Sequence, residues 1–295
     1  MSITINQKYK GILLIICSAF CFAVMNAFVK LSGDLPSVQK SFFRNFIALL
    51  IACGICMRDR KNIKISKNSM IWLILRATLG TVGILCNYYA IDRLVLSDAS
   101  MLNKMSPFFT ILFSWLLLKE KLKPAQGIAV LCAFIGSLFI IKPSLDFSDF
   151  KSSAIGLLGG MTAGYAYSIV RILGQKGVNK NFIVLFFSGF SCLVTLPYLV
   201  FQFDAMTISQ VLILIGAGIA AAGGQFSITT AYCYAPAKEI SVYDYSQIIF
   251  ATALGFFLFD EIPDKFSFLG YIIIIFSAVS MFWYNNYYLP GKQKI

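Results

Sequence analysis

The chain has 295 residues, of which 58% are hydrophobic and only 13% are charged, and its mean hydropathy is +0.77. Soluble domains carry about 25% charged residues, so this composition excludes a water-soluble globular protein and indicates a membrane protein. The net charge is +12, but no zinc-finger spacing or aromatic-basic platform accompanies it. We therefore exclude nucleic acid as a partner and expect a lipid bilayer instead.

Apolar segments long enough to cross a bilayer recur along the whole chain. They predict ten transmembrane helices, at 11–30, 41–57, 70–91, 97–118, 124–142, 153–173, 181–201, 208–232, 238–259 and 266–286. All eight cysteines fall inside apolar runs, and Cys53 and Cys56 have a C-x-x-C spacing. Because there is no second pair and no histidine, we interpret the cysteines as packing residues and expect no metal and no cofactor.

The loops between the predicted spans differ in their content of Lys and Arg. With the N-terminus inside, fifteen Lys and Arg residues lie in inside segments and six in outside segments. The positive-inside rule therefore predicts that both termini face the cytoplasm, in a protein of the cytoplasmic (inner) membrane. Lys8 and Lys10 precede the first span as they would in a signal peptide, but nine further spans favour a retained first helix.

The chain also contains an internal repeat. A shift of 141 residues aligns "SWLLLKEKLKP" at 114–124 with "FFLFDEIPDK" at 256–265 and matches Glu120 to Glu261. Two repeats of five spans result, 1–150 and 151–295, and because five is odd the second must enter the membrane from the opposite side. An acid at a helix C-terminus is disfavoured, so we expect Glu120 and Glu261 to fix the two hairpins by accepting backbone N–H groups.

Ionisable residues within spans are functional candidates. Lys104 lies in span 4 and Asp244 in span 9, where the repeat shift aligns it with Asn103. We expect Lys104 to bind a substrate carboxylate and Asp244 to bind a cationic group or a coupling proton. The alternative is a static polar strut. Arg44 and Arg76, early in spans 2 and 3, either serve the site or reach back to the lipid headgroups.

Uncharged polar residues supply further candidates. Tyr243 and Tyr245 flank Asp244, and a tyrosine ring can attract an organic cation. Other candidates, each of which could instead be an interfacial residue or an interhelical hydrogen bond, are Asn26, Tyr88, Asn103, Tyr167 and Gln225. Pro107 interrupts span 4 and predicts a kink, which is either a gate hinge or a static bend.

Several strings carry a family resemblance, namely "SFFRNF", "LRATLG", "SPFFTILFSWLLLKEKL" and "YDYSQIIFATALGFFLFDEIPDK". They resemble the drug/metabolite transporter superfamily and its ten-span EamA branch. Within that branch, "FFR", "LR" and "DEIPDK" look most similar to S-adenosylmethionine-uptake transporters. The resemblance implies a cavity surrounded by spans 1, 3, 4, 6, 8 and 9, and it favours a functional role for Arg44 and Arg76.

We therefore expect an all-α polytopic membrane protein with ten transmembrane helices in a 5 + 5 inverted-topology repeat. It would be a monomer or homodimer that carries a small polar, amino-acid-like substrate, zwitterionic or cationic, by alternating access. The alternatives are S-adenosylmethionine uptake specifically, or a channel or lipid scramblase. An enzyme is disfavoured, because "VYDYS" lacks the GxGD partner of an intramembrane aspartyl protease, and a chain without histidine has no Ser-His pair.

Overall fold

The computed structural model describes residues 5–59, 67–94, 96–119, 123–141, 147–260 and 265–284. All regular secondary structure in these ranges is helical. The helices in chain order are α1 (Ile5–Leu31), α2 (Ser37–Asp59), α3 (Lys67–Arg93), α4 (Leu96–Asn103), α5 (Ser106–Leu118), α6 (Pro124–Ile141), α7 (Phe147–Gln175), α8 (Lys180–Phe201), α9 (Ile208–Tyr234), α10 (Ala237–Ile240), α11 (Ser246–Phe259) and α12 (Lys265–Trp283). A 3₁₀ segment, Ser241–Tyr245, joins α10 to α11.

Apolar helices lie at the position of every predicted span. Among the described residues, seven helices are long and apolar enough to cross a membrane, and three shorter apolar helices match predicted spans 4, 5 and 10. Large apolar side chains such as Leu13, Leu193 and Phe257 face outward and are 68%, 68% and 78% exposed. An apolar surface of this extent is stable in contact with lipid but not in contact with water. The all-helical fold class is confirmed, and the chain is a multi-pass membrane protein.

Predicted spans 4 and 9 are broken helices rather than continuous ones. In span 4, α4 ends at Asn103 and α5 begins at Ser106, while in span 9 the 3₁₀ segment separates α10 from α11. Proline explains the first break, because Pro107 has no backbone N–H to donate and fits the first turn of a new helix. The bend predicted at Pro107 is thus present, whereas the sequence analysis did not predict the break within the span at 238–259.

The two repeats pack in matching ways. In the first repeat α1 packs along α9, and its counterpart α7 packs along α3. Each of α2 and α6 packs on its own counterpart, α8 and α12 respectively. Likewise, α1 packs on α11 of the second repeat, and its counterpart α7 packs on α5 of the first repeat. This pairing places α1, α3, α7 and α9 at the centre of the assembly, where most of the buried core lies.

The hairpins after spans 4 and 9 begin with the same backbone turn. Lys119 and Asp260, which the 141-residue shift aligns, are the non-glycine residues with positive φ in the described chain, at 51° and 54°. Each is the C-cap of its helix, and this left-handed conformation ends both helices at equivalent points. Glu120 and Glu261 follow immediately and lie outside the described residues, so their role in the hairpins stays a prediction.

Glycine allows the closest helix contacts. A Cβ atom at Gly164 in α7 would lie 2.7 Å from the Ser106 carbonyl oxygen, and one at Gly218 in α9 would lie 2.5 Å from Cβ of Ile47. Both distances are too short for any larger residue, so these helix faces serve close packing. Cys53 and Cys56 both lie on α2, and the interpretation of the C-x-x-C spacing as packing stays a prediction.

Candidate substrate cavity

A cavity of about 60 Å³ lies between the two repeats. Its lining comes from eight helices and consists of Phe22, Met25, Asn26, Arg44, Arg76, Gly80, Gly83, Ile84, Asn87, Tyr88, Asn103, Ala163, Ala166, Tyr167, Phe187, Gln225 and Gln247. One water needs about 10–15 Å³ of such space, so this cavity holds roughly four to six waters.

Most of the predicted uncharged candidates meet at this cavity. Of the residues singled out from the sequence, seven line it, namely Asn26, Arg44, Arg76, Tyr88, Asn103, Tyr167 and Gln225. Helices of all six spans that the family resemblance implied contribute to the lining. The lining also includes α2 through Arg44 and α8 through Phe187, two helices that the resemblance did not suggest.

Lys104 and Asp244 form a buried ion pair beside the cavity rather than in its lining. The Nζ of Lys104 lies 2.9 Å from Oδ2 of Asp244, and the two side chains are 2% and 1% exposed. Lys104 stands at the break between α4 and α5, and Asp244 stands in the 3₁₀ segment of the second repeat. The pair therefore joins the two helix breaks directly. Its neighbours Asn103 and Gln247 do line the cavity.

The contact leaves Asp244 incompletely satisfied. Oδ1 of Asp244 has no hydrogen-bond partner within the described ranges. A buried carboxylate with spare acceptor capacity is unusual, because buried polar atoms are normally hydrogen-bonded. The two groups pair with each other, and whether the pair is a static strut or binds substrate stays a prediction.

Tyr243 and Tyr245 do not join the other candidates. Tyr245 is fully buried and packs with Val242 and Ile248 in a core beside α12. Tyr243 lines a separate, apolar groove between α1, α11 and α12. The 3₁₀ helix accounts for this, because it turns by about three residues per turn, so the neighbours of Asp244 point roughly 120° away from it.

Arg76 lies at the cavity in a notch formed by a glycine. Its side chain is 2% exposed, and the guanidinium carbon lies 4.1 Å from the centroid of the Phe187 ring. A Cβ atom at Gly80, one turn later in α3, would collide with Nη1 of Arg76 and would lie 2.8 Å from the Phe187 ring. Gly80 thus leaves the space in which the guanidinium rests on the aromatic face.

Arg44 approaches the same cavity from α2 and is also 2% exposed. Its Nη1 donates to Oδ1 of Asn45 at 2.7 Å, and Nδ2 of Asn45 donates to Oγ of Ser191 at 2.8 Å. The alternative that Arg44 and Arg76 reach the headgroups is wrong, because both are buried at the cavity. Sequence reasoning gave a role at the site as one of two alternatives for Arg44, and the burial of the side chain at the cavity favours it.

Other polar atoms at the cavity lack partners as well. In the described part of the chain, Oδ1 of Asn26, Oδ1 of Asn87 and the hydroxyl of Tyr88 are buried without a hydrogen bond. The ring of Tyr167 stacks on Tyr232, with centroids 5.3 Å apart. Such unsatisfied groups around a small cavity are typical of a site that a polar ligand completes.

Membrane helices around a polar cavity are typical of membrane transport proteins, and the comparisons with known proteins give the family. Residues 9–142 and 154–283 each match the EamA-like transporter family. The chain therefore belongs to this family, within the drug/metabolite transporter superfamily.

Two relatives and one solved structure illustrate the similarity. The pseudopaline exporter CntI of Pseudomonas aeruginosa (strain PAO1) is 32% identical over 273 residues, which is 92% of this chain and 95% of that protein. Human solute carrier family 35 member G1 is 28% identical and is matched over 94% of this chain and 80% of that protein. A crystal structure with a TM-score of 0.70 covers 93% of this chain and 94% of that chain at 14% identity, which supports the fold alone.

Proposed function

We propose that this protein is a secondary transporter that carries a small polar, amino-acid-like metabolite across the cytoplasmic membrane by alternating access. The observation that carries the proposal is the cavity between the repeats, whose lining includes buried arginines and unpaired amide and hydroxyl groups. Polar groups buried within a membrane protein are costly and are typical of substrate pathways. Membership of a transporter family favours a carrier over an intramembrane enzyme.

The second element of the proposal is an inverted repeat. Five spans per repeat reverse the direction of the second half, and both halves carry a helix break at matching positions. In transporters of this kind, the substrate lies near the midplane, where discontinuous helices meet. The positive-inside rule then supports cytoplasmic termini, with "KEKLKP" on the inside and "DEIPDK" on the outside.

The third element is a conformational change around the ion pair. Helices of both repeats line the cavity, so in this proposal the two repeats separate to admit substrate from one side. The helix breaks at Lys104 and at the 3₁₀ segment are the flexible points, and Pro107 marks the first as a hinge. Close glycine contacts such as Gly164 on Ser106 provide smooth faces along which α7 can move against α5.

The substrate class is amino-acid-like in this proposal. Amino acids and S-adenosylmethionine share a carboxylate and a cationic centre, and both belong in the test set. The similarity to a protein named as a pseudopaline exporter supports testing efflux alongside uptake.

Counterflow in proteoliposomes tests the proposal. Purified protein is reconstituted, the vesicles are loaded with one unlabelled compound, and the entry of the same labelled compound is followed; the compounds are amino acids, S-adenosylmethionine, choline and nucleosides. A carrier gives transient, saturable accumulation of at least one zwitterion, which protein-free vesicles do not show. Flux that rises without saturation would instead indicate a channel or scramblase.

A further inference from the structure

We infer that Arg44 and Arg76 together form a carboxylate-binding subsite within the central cavity, so that the transported molecule carries at least one carboxylate. This inference rests on the proposed function and specifies its substrate. The two arginines come from α2 and α3, line one cavity, and are each 2% exposed. Arginine stays protonated even when buried, so both bring a full positive charge into the protein interior.

No protein carboxylate compensates these charges within the described chain. Asp92 pairs with Lys40 and Asp244 pairs with Lys104, so neither of these acids pairs with the two arginines. Nε of Arg44 and both Nε and Nη1 of Arg76 are buried without a hydrogen-bond partner among the described residues. Burying an uncompensated charge is strongly unfavourable, which indicates that the counter-charge arrives with the ligand.

The two guanidinium groups are held in place for this task. Arg76 lies over the Phe187 ring in the space left by Gly80, and Arg44 is fixed by its hydrogen bond to Asn45. Both retain unused N–H donors. A planar guanidinium binds a carboxylate through two parallel hydrogen bonds, so two such groups at one cavity suit a carboxylate better than a cation or a neutral polar group.

The two arginines also predict which ligands the cavity selects. Because the lining contains two positive groups and no acidic side chain, a cation without a carboxylate, such as choline, is repelled. A zwitterion is admitted when its carboxylate meets the arginines and its cationic end points away from them.

Acetate is the probe for this subsite, because it presents the carboxylate alone. We expect sodium acetate to raise the Tm of the purified protein by about 2–4 °C relative to acetamide at equal ionic strength. Arg44→Gln and Arg76→Gln should each abolish this response and should leave Tm without acetate unchanged or higher, because an uncompensated charge has been removed. Arg58→Gln, at the exposed end of the same helix as Arg44, is the matched control and should keep the response.

A second variant moves a guanidinium without removing it. Gly80→Ala places a methyl group where Nη1 of Arg76 now lies, so the acetate response should fall although both arginines remain. The inference is overturned if the wild-type protein does not respond to acetate, or if the Arg44→Gln, Arg76→Gln double variant responds as the wild type does. If the carboxylate subsite is wrong, counterflow of a zwitterion should still be observed. An acetate response without any counterflow would instead contradict the proposed carrier alone.

Discussion

The ion pair between Lys104 and Asp244 offers the clearest prediction of stability. Both side chains are at least 98% buried and their charged atoms lie 2.9 Å apart, so removing one partner leaves an uncompensated charge in the protein interior. Breaking such a pair costs about 3–5 kcal/mol. At about 2–4 °C per kcal/mol, we expect Lys104→Met or Asp244→Asn alone to lower Tm by roughly 6–20 °C.

The double variant should recover much of this loss. With Lys104→Met and Asp244→Asn combined, no uncompensated charge remains, so we expect a coupling free energy of about 2–3 kcal/mol in the cycle. Fluorescence-detected size-exclusion chromatography after heating measures Tm for all four proteins. A double variant as unstable as the sum of the two single variants would refute the reasoning that the groups stabilise each other.

A second ion pair serves as the control for this cycle. Lys40 and Asp92 lie 2.6 Å apart, but Asp92 is 20% exposed and also accepts a hydrogen bond from Ser37. Water screens the charge of Asp92, so Lys40→Met with Asp92→Asn should show a coupling of about 1 kcal/mol or less.

Counterflow by the folded Lys104→Met, Asp244→Asn protein then separates a static strut from a substrate-binding pair. A static strut predicts retained substrate affinity, and a substrate-binding pair predicts its loss.

Further predictions concern packing and orientation. Gly164→Ala should lower the free energy of unfolding by about 1–3 kcal/mol and slow transport, because the new methyl group meets the backbone of α5. Gly189→Ala is the control: its methyl group makes an ordinary contact with one leucine methyl, so stability should change by less than about 0.5 kcal/mol. Melting curves and counterflow of both variants check this. Cys53→Ser with Cys56→Ser should leave transport unchanged in the same assay, and a loss would revive a functional role for the C-x-x-C spacing. In a cysteine-depleted protein, a cysteine at Phe203 should react with an impermeant maleimide from outside intact cells, and labelling only after lysis would reverse the predicted orientation.

Much of the fold follows from the sequence, because lipid imposes a simple rule. Each span must be an apolar helix, and apolar helices lie at all ten predicted positions. The burial of Lys104 and Asp244 was predictable for the same reason, since a charge within a span needs a partner or a cavity. That they pair with each other depends on the packing of α4 against α11 of the second repeat, which the sequence does not reveal, and the choice between a strut and a substrate site stays a prediction.

The parts that were not predicted depend on local backbone geometry and on tertiary packing. The 3₁₀ segment 241–245 has no strong sequence signal, yet it turns Tyr243 and Tyr245 away from the cavity. Arg44 and Arg76 looked like helix-end residues, because distance along a helix does not reveal which face is covered by neighbours. The sequence does not indicate the space beside Gly80, because it forms where the packing of α3 and α8 places Phe187 next to Arg76.

The central claim is that the cavity between the repeats opens to each side of the membrane in turn. Gln225 lines the cavity and is 4% exposed, so a cysteine at this position in a cysteine-depleted protein reports access with an impermeant maleimide. Alternating access predicts labelling from both sides, in right-side-out and inside-out vesicles, with a ratio of the two rates that a transported zwitterion changes. Labelling from one side only, or a ratio that no substrate alters, would contradict the account.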